Sequence, residues 1–414
     1  MTRLRTSVIA TIVLAVLSTA TATATGTAAA GPPGHAWFTS WAQSQERLAA
    51  TPLRNQSIRM LAHLSQGGTA VRFRLQNTFG RQPLTLDRAT VAISTGGATT
   101  GTPKRVTFHG RRSVTIPAGG ETWSDATVLA TRPGDDVAIS VFAAGEVLPG
   151  QHNSAFRDNY LTPPGAGDHT ADTTGEAYSL TTGSTLVVSA VDVHNPALKG
   201  TVVPFGSSVV DGVGSTNCGP GCTEIGTHKR WTDFLARRIV AELPRTSQLA
   251  VANAGISGTT SAVCPRSPEG VAGLDAMARL ERDVLSLHGV KSVIYYYGTN
   301  DLANGCTANE IITSYRTVFG RLRDAGIDVH VTPITPRPGY TDQNNIDRHV
   351  VAGFVRNGGD CTGTCTGVTD FDQVLADPVK PNSILPAYDT GDGVHVNIAG
   401  QEALANFVAL RDLV

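Results

Sequence analysis

The sequence has almost no net charge and few large rings. Its 414 residues carry 33 Lys+Arg against 34 Asp+Glu, a net charge of −1, and only 6% are aromatic. That balance gives no basic footprint of the kind that binds nucleic acid. Beyond the first twenty residues no long apolar run recurs, so the rest of the chain offers no membrane-span candidate. Cysteine is missing altogether before Cys218, which already suggests two unlike halves. What is abundant is turn chemistry and apolar side chains, with 44 Gly, 22 Pro and 41% hydrophobic residues. The length suits two domains, each able to bury its own core.

The N-terminus reads as an export signal. Arg3 and Arg5 precede an apolar run from Val8 to Leu17 that only Thr11 interrupts, and the small-residue stretch "STATATATGTAAAG" follows. The run is too short to span a bilayer. Residues 1–30 are therefore expected to be a signal peptide, and the mature protein to be soluble and extracellular. The six cysteines, Cys218, Cys222, Cys264, Cys306, Cys361 and Cys365, fit that compartment as disulfides. Fifteen pairings are possible. Gly219-Pro220-Gly221 and Thr362-Gly363-Thr364 suit tight turns, so the favoured set is Cys218–Cys222, Cys361–Cys365 and Cys264–Cys306. The two C-x-x-x-C pairs also fall within zinc spacing, but neither has a well-placed His, and no metal is expected.

From residue 36 to 190 the chain alternates in short segments. In "TAVRFRLQN" (69–77), Val71, Phe73 and Leu75 alternate with Arg72, Arg74 and Gln76, the pattern of a half-buried strand. Five further segments repeat it between Gly, Pro and Asp clusters, predicting an antiparallel all-β, sandwich-like domain. "VDVHNPALKG" (191–200) reads as a linker. From residue 201 to 414 continuous apolar strands ("TVVPFG", "LAVANAG", "SVIYYYG", "DVHVTPI", "GVTDF") alternate with amphipathic helices over 229–243 and 309–325, and a helix over about 399–413 closes the chain. That is the signature of a parallel sheet covered on both faces. Ligands of such sheets sit at the carboxyl ends of the strands.

Polar residues fall at those ends. Ser207 and Ser208 follow "TVVPFG", Gly255 ends "LAVANAG", Asn300 lies in "GTND", and Asp392 and His395 precede the last helix. Singly, each has an ordinary reading as turn, cap or surface residue. Together they are what acyl transfer needs. A serine hydroxyl is a weak nucleophile until a base takes its proton. His395 is the candidate base, and Asp392 would fix its tautomer. The N–H groups of Ser208 and Gly255 and the Asn300 amide are candidate oxyanion donors.

These four blocks, "FGSSVVDG", "NAGISG", "YGTNDL" and "DGVHVN", resemble those of the SGNH hydrolase superfamily, also called GDSL-type esterases/lipases. "RWTDFLARRI" and the "SWAQSQ" near the start of the β half resemble its two-domain secreted bacterial members. The resemblance implies a flavodoxin-like doubly wound α/β fold and a serine esterase. Ser208 would be the nucleophile, His395 the base, Asp392 the triad carboxylate, and Ser208, Gly255 and Asn300 the oxyanion donors. It implies a small-molecule, polysaccharide or lipid ester as substrate, with no cofactor. Polysaccharide deacetylation, and carbohydrate binding by a degenerate hydrolase, are the alternative readings. The family's first block usually reads Gly-Asp-Ser, whereas here Ser207 stands in the Asp position, with one local hydrogen bond expected in place of the carboxylate's several. "GSSVVDG" does not fit the G-x-S-x-G elbow.

Overall fold

A computed structural model describes residues 36–356 and 365–414. The expected signal peptide and Cys361 lie outside the described residues.

The N-terminal half is built of antiparallel strands. One sheet has the order Trp37–Ala42, Val188–His194, Ala70–Gln76, Glu121–Trp123, with Thr127–Val128 also on Ala70–Gln76. A second is centred on the long pair Leu53–His63 and Asp136–Val147, flanked by Asn159–Leu161 and Arg88–Gly96. The two enclose a core that includes Ile58, Met60, Val71, Phe73, Leu75, Val137, Ile139 and Val191. The period-2 pattern of residues 71–75 thus does point one face inward. The other face differs from expectation, because Arg74 and Gln76 are buried rather than solvated. The reason is that this face packs on the C-terminal half. Arg74 donates to Ser189 Oγ at 2.8 Å, to Ser286 Oγ at 2.7 Å and to the Arg282 carbonyl at 2.9 Å. The expected linker also needs correction. Val191, Asp192, Val193 and His194 belong to the strand Val188–His194, so the connecting segment is only 195–199.

The C-terminal half carries a parallel sheet. Its spatial order is Leu249–Val251, Gly200–Gly206, Val290–Tyr296, Asp328–Val331, Gly367–Val368. In chain order that is 2-1-3-4-5, the flavodoxin-like doubly wound arrangement. Both faces are buried, which is why its strands are mostly apolar. Val203, Phe205, Val293 and Tyr295 pack with Ile311, Tyr315, Phe319 and Val351 on one side. Val202, Ile294 and Tyr296 pack with Trp231, Leu235, Ile239 and Leu404 on the other. The helix Ala308–Asp324 starts at a capping box in which Glu310 accepts the Thr307 N–H at 2.7 Å. The last helix, Ile398–Phe407, starts at an Asn397 cap and stops short of the expected end; Leu410–Leu413 is a separate 3₁₀ turn. Strand order reverses between Gly200–Gly206 and Val290–Tyr296, and the crevice at such a switch point is where this architecture binds ligands.

Candidate active site

Strand Gly200–Gly206 ends where only glycine fits. A Cβ at Gly206 would lie 2.3 Å from the Tyr296 carbonyl oxygen and 2.4 Å from Val210 Cγ2. The chain then makes a single helical turn, Ser208–Asp211, in which Val210 and Asp211 donate their N–H groups to the Ser207 carbonyl at 3.0 and 2.9 Å. Gly212 closes it in the left-handed region, with φ 103°.

Ser208 and Ser207 part ways here. Ser208 Oγ lies 2.8 Å from His395 Nε2. Ser207 Oγ is buried and has no hydrogen-bond partner among the described residues. The single local bond expected of Ser207 is therefore not made, and the turn is held by other groups.

His395 sits in a loop stitched by its own carboxylates. Asp389 Oδ1 accepts the N–H groups of Gly391 and Gly393 at 2.9 and 2.8 Å. Asp392 Oδ1 accepts those of Val394 and His395, each at 2.8 Å, and Asp392 Oδ2 lies 2.6 Å from His395 Nδ1. Burial alone would raise the Asp392 carboxyl, but the His395 N–H, the His395 ring and the Val394 N–H outweigh it and hold it at about 2. An ionised carboxylate only accepts, so the imidazole carries its proton on Nδ1. Nε2 is then the lone pair that faces the Ser208 hydroxyl.

The second and third blocks dock on one another. Asn300 Nδ2 donates to the Thr259 carbonyl at 3.0 Å, while its Oδ1 accepts from Arg337 Nη1 at 3.0 Å. The amide is thereby fixed in orientation, with its second N–H left over among the described residues. Buried Asp301 accepts the N–H groups of Ser261, Ala262 and Gly298 at 3.1, 2.8 and 3.2 Å. Its burial pushes the carboxyl up to about 6. The Cys264–Cys306 disulfide closes the same corner.

The Gly255 assignment does not survive this geometry. Its N–H is already donated to Asn253 Oδ1 at 2.8 Å. Its missing side chain has another cause, since a Cβ there would lie 2.1 Å from the Asp211 nitrogen. Gly255 lets the serine turn pack directly on its neighbour. An open donor in that block is Gly258, at φ 83°, whose N–H has no acceptor among the described residues and which adjoins Thr259, the anchor of Asn300. The second glycine of "NAGISG" was the available signal. Arg337 is a further residue that sequence reasoning missed.

Cys218–Cys222 and Cys264–Cys306 are paired as expected. Their sulfurs belong to two of the clusters with metal-ligand spacing, with Glu224 and with Asp301, and as disulfides they offer no thiolate. A cavity of about 380 Å³ opens between the two halves, lined in part by Trp41, His63, His228, Asp211 and Asn253. It lies behind the serine turn and touches neither Ser208 nor His395.

None of the curated proteins matches the chain. Among solved structures, a carbohydrate acetylesterase from Sinorhizobium meliloti is 18% identical with a TM-score of 0.38, over 50% of this chain and 95% of its own. The native aryl esterase of M. smegmatis is 18% identical with a TM-score of 0.40, over 52% of this chain and 100% of its own. The model of the GDSL-like lipase/acylhydrolase family matches residues 205–403. That span runs from the end of the first parallel strand into the last helix, so the C-terminal half carries a GDSL-like lipase/acylhydrolase domain, that of a carboxylic ester hydrolase.

Proposed function

We propose that the protein is an exported serine esterase that works through an acyl-enzyme on Ser208. The observation that carries this is the unbroken relay from Ser208 Oγ to His395 Nε2 at 2.8 Å and from His395 Nδ1 to Asp392 at 2.6 Å. Ser208 Oγ attacks the ester carbonyl as its proton passes to His395 Nε2. Asp392 holds the ring and balances the imidazolium that forms. The tetrahedral oxyanion is met by the Ser208 N–H, the free N–H of the Asn300 amide and, in place of Gly255, the Gly258 N–H. His395 returns the proton to the leaving alkoxide, and the alcohol departs. Water then attacks the acyl-enzyme, giving its proton to His395, and the carboxylic acid is released with Ser208 restored. No step calls for a metal or cofactor. The N-terminal signal pattern supports export.

The test is a hydrolysis panel of short- and long-chain p-nitrophenyl esters and acetylated sugars, run beside Ser208→Ala. Cleavage of at least one class by the parent and its loss in the variant are expected. Equal turnover by both would overturn the assignment.

A further inference from the structure

We infer that the N-terminal β half is a positioning part of the esterase site: it holds the Ser208 turn from behind through a buried ion pair between His152 and Asp211. The inference rests on the serine-esterase reading and asks what keeps its nucleophile in place.

Asp211 is the last residue of the single turn that Ser208 begins. His152 belongs to the short strand Gly150–His152 of the other half. The two side chains are almost fully buried, with residue exposures of 1% for His152 and 3% for Asp211. His152 Nε2 lies 3.0 Å from Asp211 Oδ1, and its Nδ1 lies 2.8 Å from the Ser44 carbonyl oxygen. Both partners only accept, so both ring nitrogens carry protons and His152 is an imidazolium. A charge this deep persists only when it is paired and hydrogen-bonded. The second Asp211 oxygen accepts the Ser257 hydroxyl at 2.7 Å. One carboxylate therefore ties together the β half, the serine turn and the loop that carries Gly258.

A second strap runs the same way. Arg230 donates to the Asp211 carbonyl at 2.8 Å and to the Ala155 carbonyl at 3.0 Å. Side chain and backbone of Asp211 are both linked to residues 152–155. Asn253 adds a bond to the Val210 carbonyl at 2.6 Å. The near end of the turn has no such support, because the buried Ser207 Oγ has no partner among the described residues. Residue 207 is where the family pattern carries its Asp. The geometry moves that support four residues on, to Asp211, and draws its counter-charge from the other half of the chain.

The experiment compares the full-length parent with His152→Leu, His152→Gln and Asp211→Asn. Four quantities are read: kcat and KM on the best ester, the rate at which a fluorophosphonate labels Ser208, and Tm. Misplacing a reacting group by about 1 Å costs up to about 100-fold, so His152→Leu and Asp211→Asn should lower kcat and the labelling rate by roughly 10- to 100-fold in folded protein. KM should stay within about threefold. His152→Gln restores a donor to Asp211 without the charge and should recover part of the loss, which a merely structural role would not show. Folded variants that keep kcat and labelling within about twofold of the parent overturn the proposal. Where His152→Leu does not fold, Asp211→Asn, which keeps the size and shape of the carboxylate, decides the matter by the same criterion. Failure of the underlying esterase reading looks different: the parent itself would not be labelled at Ser208.

Discussion

Replacing Asp392 by Asn probes the relay at the point where a change of one atom has the largest consequence. The carboxylate makes three bonds, two from the backbone N–H groups of Val394 and His395 at 2.8 Å and one with His395 Nδ1 at 2.6 Å. An amide has one oxygen and one NH₂. If the oxygen keeps the two backbone donors, the NH₂ faces Nδ1. His395 then accepts at Nδ1 and carries its proton on Nε2, pointing it at Ser208 Oγ, where no lone pair remains to take the serine proton. This wrong tautomer is known to cost about 10⁴-fold in kcat in a serine triad, which is about 5.5 kcal/mol at 25 °C. Asp392 is exposed at the surface, so stability should barely change. The assay is kcat on a p-nitrophenyl ester, with Tm as the folding control. Asn should be no better than Ala at this position despite matching the carboxylate in shape. A folded Asp392→Asn enzyme within about tenfold of the parent would refute the relay.

Three further outcomes follow from the same geometry. Ser207→Asp gives the unpartnered position a strong acceptor, and kcat/KM should rise several-fold; a folded but slower variant would show that serine there has a role of its own. Replacing both Cys264 and Cys306 by Ser opens a loop of 42 residues. That should cost about 4 kcal/mol by chain entropy, read as a lowered Tm, and an unchanged Tm would contradict it. Burial alone would lower the His152 pKa, but Asp211 outweighs it, helped by Glu46 and the Ser44 carbonyl, and the net direction is upward. The pair's stabilisation is then complete below the unfolded value of about 6.5 and fades as pH rises through the higher folded value. Tm measured against pH should therefore decline more steeply on the alkaline side in the parent than in His152→Gln, and equal slopes would contradict the pairing.

Sequence reasoning reached furthest where local spacing carries the chemistry. Asp392 and His395 are three residues apart in one stitched loop, and each strand announces its end by a change from apolar to polar. The parallel sheet covered on both faces followed from continuous apolar strands between amphipathic helices, whereas its flavodoxin-like order was implied only by the family resemblance. Gly255 failed because a glycine has two reasons to exist: open access for an N–H, or close packing. Only the 2.1 Å approach to the Asp211 backbone tells them apart. Arg74 and Gln76 fit a solvent-facing alternation, and nothing within a strand says that a second layer covers its polar face. The contacts that join the halves are invisible for a related reason. His152 and Asp211 are 59 residues apart, and Arg337 and Asn300 are 37 apart, so no periodicity connects them. The linker expected over 191–200 starts later because Val191 to His194 continue a strand that pairs with residues far away in the chain, His194 with Trp37 and Val193 with Val71.

The most direct test of the whole account is which of two adjacent serines reacts. The full-length protein is treated with a fluorophosphonate and digested, and the modified peptide spanning Ser207 and Ser208 is sequenced by mass spectrometry. The phosphonyl group should sit on Ser208, whose Oγ lies 2.8 Å from His395 Nε2, and labelling should vanish in Ser208→Ala while persisting in Ser207→Ala. A label on Ser207, or one that survives Ser208→Ala, would contradict it.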